Sequence, residues 1–168
     1  PIGYWLGLLM ANILKALYNI SPILSAIQSD LCESGIDGVL STHIQRDALE
    51  KFSYVSPIGA AGVYLHAVAG DFQKEGPARE LFKSMIREIS ALAAAMGYLF
   101  EKDYVKINLE ILSNLSADAT TSMQRDIMEG KPSELDGLVM EPLRLAKKYS
   151  VSMPCYEEVA KVLCPLEF

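Results

Sequence analysis

The chain has 168 residues, 51% of them apolar and 21% charged, a balance that gives one globular domain with a substantial core and excludes a disordered chain. That length is short for a complete two-substrate dehydrogenase. The formal charge of -6, with acidic and basic residues interspersed from about Asp30 onward, leaves no basic face for phosphates and excludes nucleic acid as a partner.

Cys32, Cys155 and Cys164 are odd in number and lack metal-ligand spacing, with only His43 and His66 to supplement them. They point to a reduced, cytoplasmic protein without structural zinc.

In chain order, residues 4 to 20 form an apolar stretch near the length that spans a membrane. Asn12, Lys15 and Asn19 give it a polar stripe, which predicts a helix packed on a larger partner surface. An amphipathic membrane anchor is the rival reading. Residues 21 to 41 read as a linker, with a helix from Pro22 to a stop at Gly35, then a short strand or extended link over 36 to 41.

The domain proper spans 42 to 168. Thr42 is the expected cap of a helix that Pro57, lacking an amide proton, must kink or end. The run Gly59, Ala60, Ala61, Gly62 allows close approach of another backbone or a ligand. Pro77 opens the clearest helix, with Leu81, Phe82, Met85, Ile86, Ile89, Leu92, Ala93 and Met96 on one face and Gly97 as its stop. Tyr104, Ile107, Ile111 and Leu115 mark the next helix, and Met123 with Ile127 a shorter one ending at Gly130. Ser133 and Asp136 form a capping-box variant before Leu135, Leu138, Val139, Leu143 and Ala146. Pro154 opens a last helix to residue 164. No strand alternation and no Gly-x-Gly-x-x-Gly turn occurs, so the class is all-α and the chain carries no dinucleotide fingerprint of its own.

Residues 121 to 139, TSMQRDIMEGKPSELDGLV, carry the most information. Ser122-Met123, Asp126-Ile127, Gly130 and Ser133-Glu134-Leu135-Asp136 resemble the pattern Ser-Met-x-x-Asp-Ile-x-x-Gly-x-x-Thr/Ser-Glu-Ile-Asp of the ketopantoate reductase family. IQRDALEKF at 44 to 52 resembles its Ile-x-x-x-Leu-Trp-x-Lys-Phe segment. Glu88, Ala93 and Gly97 resemble its Glu-x-x-x-x-Ala-x-x-x-Gly helix, and VSMP at 151 to 154 sits where members enter the final helix. The likeness runs from about residue 21 to 164.

The resemblance implies the helical bundle that forms the C-terminal domain of ketopantoate reductases and of the 6-phosphogluconate dehydrogenase-like proteins. It implies an NADPH-dependent 2-dehydropantoate 2-reductase of pantothenate biosynthesis, or a related 2-keto acid reductase. NADPH would be bound mainly by a separate Rossmann domain, so this chain alone is expected to be inactive. The family's proton-donating lysine falls on Lys51. An ammonium suits that task because it polarises the ketone oxygen and delivers a proton as hydride reaches carbon. Partial burial beside Phe52 should lower its pKa from about 10.4. Lys15 and Asn19 reproduce the same Lys-x-x-x-Asn spacing, but the separation of Lys51 from Ser122 is the one that agrees with the family.

Ser122 corresponds to a serine that hydrogen-bonds the substrate acid. Glu134 corresponds to a glutamate that accepts from the substrate's hydroxyl and helps hold the lysine. Its place in a first helical turn keeps it ionised. Asp126, four residues after Ser122, either orients it or bonds a neighbouring helix. Without the resemblance these would read as a surface lysine, a solvent-facing serine and a helix-start acid.

The chain departs from the family pattern at Val55 and Gly59, which stand where well-known members carry asparagines, and at Leu49 and Met140, which replace a tryptophan and a glycine. Ser56 is the candidate substitute for the lost hydrogen bonds. The alternative function is a non-catalytic dimerisation or interaction module, and an apolar surface could drive a homodimer.

Overall fold

The structure is a computed structural model that describes residues 22–165. Everything expected of residues 4 to 20, including the membrane rival and the Lys15 placement, lies outside the described residues. Among the described residues there is no strand, no helix long and apolar enough to cross a membrane and no cluster of potential metal ligands. The chain divides into two compact units, up to Ala48 and from Leu49 on.

In the first unit, α1 (Pro22–Glu33) ends at Gly35, whose φ of 79° is the left-handed conformation that glycine adopts without steric cost. Residues 36–41 form an extended link, not a strand, and Gln28 Nε2 donates to the Gly38 carbonyl at 2.7 Å. The next helix, α2 (Ile44–Leu65), starts one residue later than expected. Asp47 N donates to the His43 carbonyl, so His43 holds the cap position in place of Thr42, and Ser41 Oγ accepts from His43 N at 2.9 Å.

In the second unit α2 runs through Pro57 to Leu65, so of the two expected outcomes, a kink or an end, the end does not occur. Proline removes the amide that should bond the carbonyl four residues earlier. That carbonyl, Ser53 O, instead accepts from Asn108 Nδ2 at 3.0 Å. Asn108 is buried at 1% exposure, so the orphaned acceptor is satisfied where water does not reach it.

Beyond α2 come α3 (Ala69–Gln73), α4 (Pro77–Ala95), α5 (Tyr104–Ser113), α6 (Ser122–Met128), a π-helical segment (Asp136–Met140), α7 (Glu141–Tyr149) and α8 (Pro154–Leu163). The expected face of α4 is the centre of the core. Phe82, Met85, Ile86, Ile89, Leu92 and Ala93 are buried, and α4 packs against α3, α5, α7 and α8. Gly97 closes it at φ 91°. Phe82 makes edge contacts with Tyr54 of α2 and Phe72 of α3, each at 6.0 Å between centroids, an arrangement that adds to the burial energy of the rings.

In α5 the fully buried residues are Asn108 and Leu112, while Tyr104, Ile107, Ile111 and Leu115 are half-buried. The Ser133 capping box does not form: no side chain caps the π segment, and Asp136 instead pairs through both carboxylate oxygens with Arg144 at 2.8 Å. A guanidinium fork binds both oxygens at once, which outcompetes a single cap bond.

Glu88 explains one of the family-like positions. From α4 its carboxylate accepts from Cys155 N at 2.8 Å and Tyr156 N at 3.1 Å. It therefore caps the first turn of α8, where Pro154 leaves free amides and the helix dipole favours a negative charge.

Candidate functional site

Three segments build the site: the middle of α2, the start of α6, and the turn that enters the π segment. Lys51 is the eighth residue of α2 and is half-buried. Burial lowers its pKa from the ordinary 10.5, because an ammonium stripped of water favours release of its proton.

Ser122 is the first residue of α6 and is exposed. Its position is fixed by a capping box that the sequence reading missed. Gln124 N donates to Thr121 Oγ1 at 3.2 Å, and Thr121 N donates to Gln124 Oε1 at 2.9 Å. The Thr-x-x-Gln spacing was the available signal. Gln124 also donates to the Ala67 carbonyl at 2.7 Å, which ties α6 to the chain just beyond α2.

Glu134 is exposed and sits one residue earlier than expected. Its carbonyl accepts from Leu138 N at 2.9 Å, so it occupies the cap position and not the first turn. The carboxylate still stands at a helix start, where the backbone amides carry partial positive charge.

The three segments meet at the small residues of α2. A Cβ added to Gly59 would stand 3.1 Å from Met123 Cε and 3.6 Å from Leu138 Cδ1. At Gly62 an added Cβ would stand 2.8 Å from the Gln124 amide carbon. The Gly59 to Gly62 run thus serves close approach by α6 and the π segment. Lys51 precedes Gly59 by eight residues, about 12 Å along the axis at 1.5 Å per residue. Met123 follows Ser122 directly, and Leu138 follows Glu134 by one turn. The segments carrying Lys51, Ser122 and Glu134 are therefore neighbours around α2. Among the described residues, the three side chains form no hydrogen bond or ion pair with each other or with any other group.

The other two candidates have different roles. Ser56 is buried at 0% exposure and its hydroxyl donates to the Leu138 carbonyl at 2.6 Å. That carbonyl lies four residues before Pro142, which offers no amide, so Ser56 does for it what Asn108 does for Ser53. Tyr156, fully buried, bonds the same hydroxyl at 2.5 Å. Ser56 is a strut of the core and has no donor left for a substrate, which corrects its expected role. Asp126 is half-buried and its carboxylate bonds neither Ser122 nor a neighbouring helix among the described residues.

Residues 43–167 match the family described as ketopantoate reductase PanE/ApbA C terminal. A 2-dehydropantoate 2-reductase of Aquifex aeolicus is 27% identical over 135 residues, covering 78% of this chain and 43% of the relative. The crystal structure of 2-dehydropantoate 2-reductase from Methylococcus capsulatus shares the fold with a TM-score of 0.79 at 23% identity, over 89% of this chain and 47% of that one. A ternary structure of D-mandelate dehydrogenase with NADH and anilino(oxo)acetate has a TM-score of 0.74 at 17% identity, over 88% and 62% of the two chains. The chain thus spans about half the length, or less, of the 2-dehydropantoate 2-reductases it matches.

Proposed function

Since this chain belongs to the ketopantoate reductase family, to the part described as its C terminal, we propose that it is the substrate-binding half of an NADPH-dependent reductase of ketopantoate or a related 2-keto acid. The observation that carries this reading is Lys51, a half-buried ammonium with a lowered pKa and no bonded partner among the described residues. It lies on the helix against which the Ser122 and Glu134 segments pack. A partly desolvated titratable group with no ion-pair partner is a candidate functional residue and not a structural ion pair.

Met123 meets Gly59 and Gln124 meets Gly62, so the start of α6 is seated on the helix that carries Lys51. In this reading Ser122 donates its hydroxyl to the substrate carboxylate. Lys51 Nζ donates a proton to the ketone oxygen as the C=O electron pair moves onto it, so the alkoxide does not accumulate. The carbonyl carbon is reduced to the alcohol, and the resulting neutral amine of Lys51 recovers its proton from water. Glu134 accepts from the ammonium or from a substrate hydroxyl.

A reduced nicotinamide, held by a partner nucleotide-binding domain, would supply the hydride. The described residues of this chain suit the keto acid and not the dinucleotide. Their positive-φ glycines, Gly35, Gly76, Gly97 and Gly130, all stand at helix ends and do not form a phosphate loop. The test is to mix the intact protein with NADPH and ketopantoate and follow absorbance and product. Stoichiometric NADPH oxidation with formation of pantoate is expected, and no oxidation with any 2-keto acid would contradict the reading.

A further inference from the structure

We propose that Tyr156 and Ser56 are positioning residues for the keto acid reaction: together they hold the segment that presents Glu134 in register with the helix that carries Lys51. The proposal rests on the reductase reading and adds to it two residues that touch no substrate.

A continuous chain of bonds makes the connection. The Glu134 carbonyl accepts from Leu138 N at 2.9 Å, and the Leu138 carbonyl accepts from Ser56 Oγ at 2.6 Å. Leu138 alone therefore stands between Glu134 and α2 along this path. Ser56 and Lys51 lie in the same helix. The Ser56 hydroxyl has one proton, which goes to Leu138, so the Tyr156 hydroxyl, 2.5 Å away, is the donor to Ser56 Oγ. Three elements, α2, the π segment and α8, thus converge on one hydroxyl oxygen.

Pro142 decides where the tie falls. By withholding an amide it leaves the Leu138 carbonyl free to bond outside its own helix. A bond within the helix would satisfy that carbonyl equally well and leave the segment untied to α2. Arg144 grips Asp136 through both carboxylate oxygens at 2.8 Å, which shapes the segment from the α7 side but gives it no register against α2.

Ser56 and Tyr156 are both 0% exposed, so water does not compete for either bond and the buried pair rigidifies its surroundings. Burial also raises the Tyr156 pKa above its ordinary range, which keeps the phenol a donor. Hydrocarbon packing tolerates small slips, whereas a hydrogen bond fixes both distance and angle. A misplacement of about 1 Å in a reacting constellation costs on the order of a hundredfold in rate. At Glu134, which binds and does not react, a slip appears as weaker hold on the keto acid.

The experiment measures the Michaelis constant for ketopantoate at saturating NADPH in the intact protein, well below the melting temperature of each variant. Loss of folded protein lowers the maximal rate and leaves that constant alone, whereas a displaced Glu134 raises it. Ser56→Ala is expected to raise it several-fold. Tyr156→Phe should raise it less, since the Ser56 bond to Leu138 remains. In a Glu134→Gln background neither substitution should add to the rise, because both act through the carboxylate already removed. An unchanged constant in a folded Ser56→Ala protein would overturn the proposal and reduce the pair to struts of the core. An equal rise in both backgrounds would overturn it too, since the hydroxyls would then act through another group. If Ser56→Ala does not fold, Tyr156→Phe decides by the same two comparisons. Reduction of no 2-keto acid by the parent protein would instead sink the reductase reading, and this proposal with it.

Discussion

Asn108 of α5 donates its side-chain amide to the Ser53 carbonyl of α2 at 3.0 Å, supplying the hydrogen bond that Pro57 withholds. The same amide lies 3.1 Å from Ser53 Oγ. One buried side chain thus lets a proline-containing helix continue and carry both Lys51 and the small residues that receive α6.

Asn108→Ala should therefore destabilise the domain by about 1–3 kcal/mol, the cost of a buried acceptor without a partner. Chemical denaturation measures it. Pro57→Ala restores an amide four residues after Ser53, so the double substitution should cost less than the sum of the two singles. Strict additivity would show that Asn108 does not serve the proline gap.

Ser56 and Tyr156 make a parallel prediction. Ser56→Ala leaves the Leu138 carbonyl unpaired and the Tyr156 hydroxyl without its partner, a loss of about 1–3 kcal/mol. Tyr156→Phe keeps the Ser56 bond to Leu138 and should cost less. If Ser56→Ala leaves thermal stability unchanged, the strut is not formed in solution.

These two struts also show where the sequence was legible. The α4 helix was plain because its signals are local: Pro77 opens it, Gly97 closes it, and a dense apolar face lies between. That the helix continues past Pro57 was not legible, because the group that satisfies the Ser53 carbonyl lies 55 residues away, beyond any local pattern. Ser56 was misread for the same reason, since its partners Leu138 and Tyr156 are 82 and 100 residues distant. Glu88 was recognisable as a recurring residue, but its task of capping α8 appears only in three dimensions. For the candidate site, sequence likeness supplied Lys51, Ser122 and Glu134, while the placement of their segments around Gly59 had no sequence signal beyond two glycines.

Glu134→Gln removes the acceptor's charge and keeps its shape. The Michaelis constant for ketopantoate should rise several-fold with a smaller change in kcat, because an exposed group contributes modestly to binding. An unchanged constant would reduce Glu134 to a helix-start acid.

Lys51 has a pH signature. A proton donor works while protonated, so kcat/KM should fall as pH rises through the Lys51 pKa, and burial places that limb below 10.5. The linkage has the matching sign. Between the lowered folded pKa and the ordinary value, the unfolded chain holds the extra proton, so the lysine's contribution to stability rises with pH across that window. Lys51→Met should abolish the alkaline limb and leave stability equal or higher, since it removes a half-desolvated charge. A loss of stability on this substitution would mean that Lys51 has a structural partner.

The most direct test of the central claim is the steady-state rate of Lys51→Ala in the intact protein, measured alongside NADPH binding. Loss of the proton donor should lower kcat by roughly a hundred- to ten-thousandfold while NADPH affinity stays within a few-fold of the parent. A variant that binds NADPH and reduces the keto acid at near-normal rate would show that Lys51 takes no part in the chemistry.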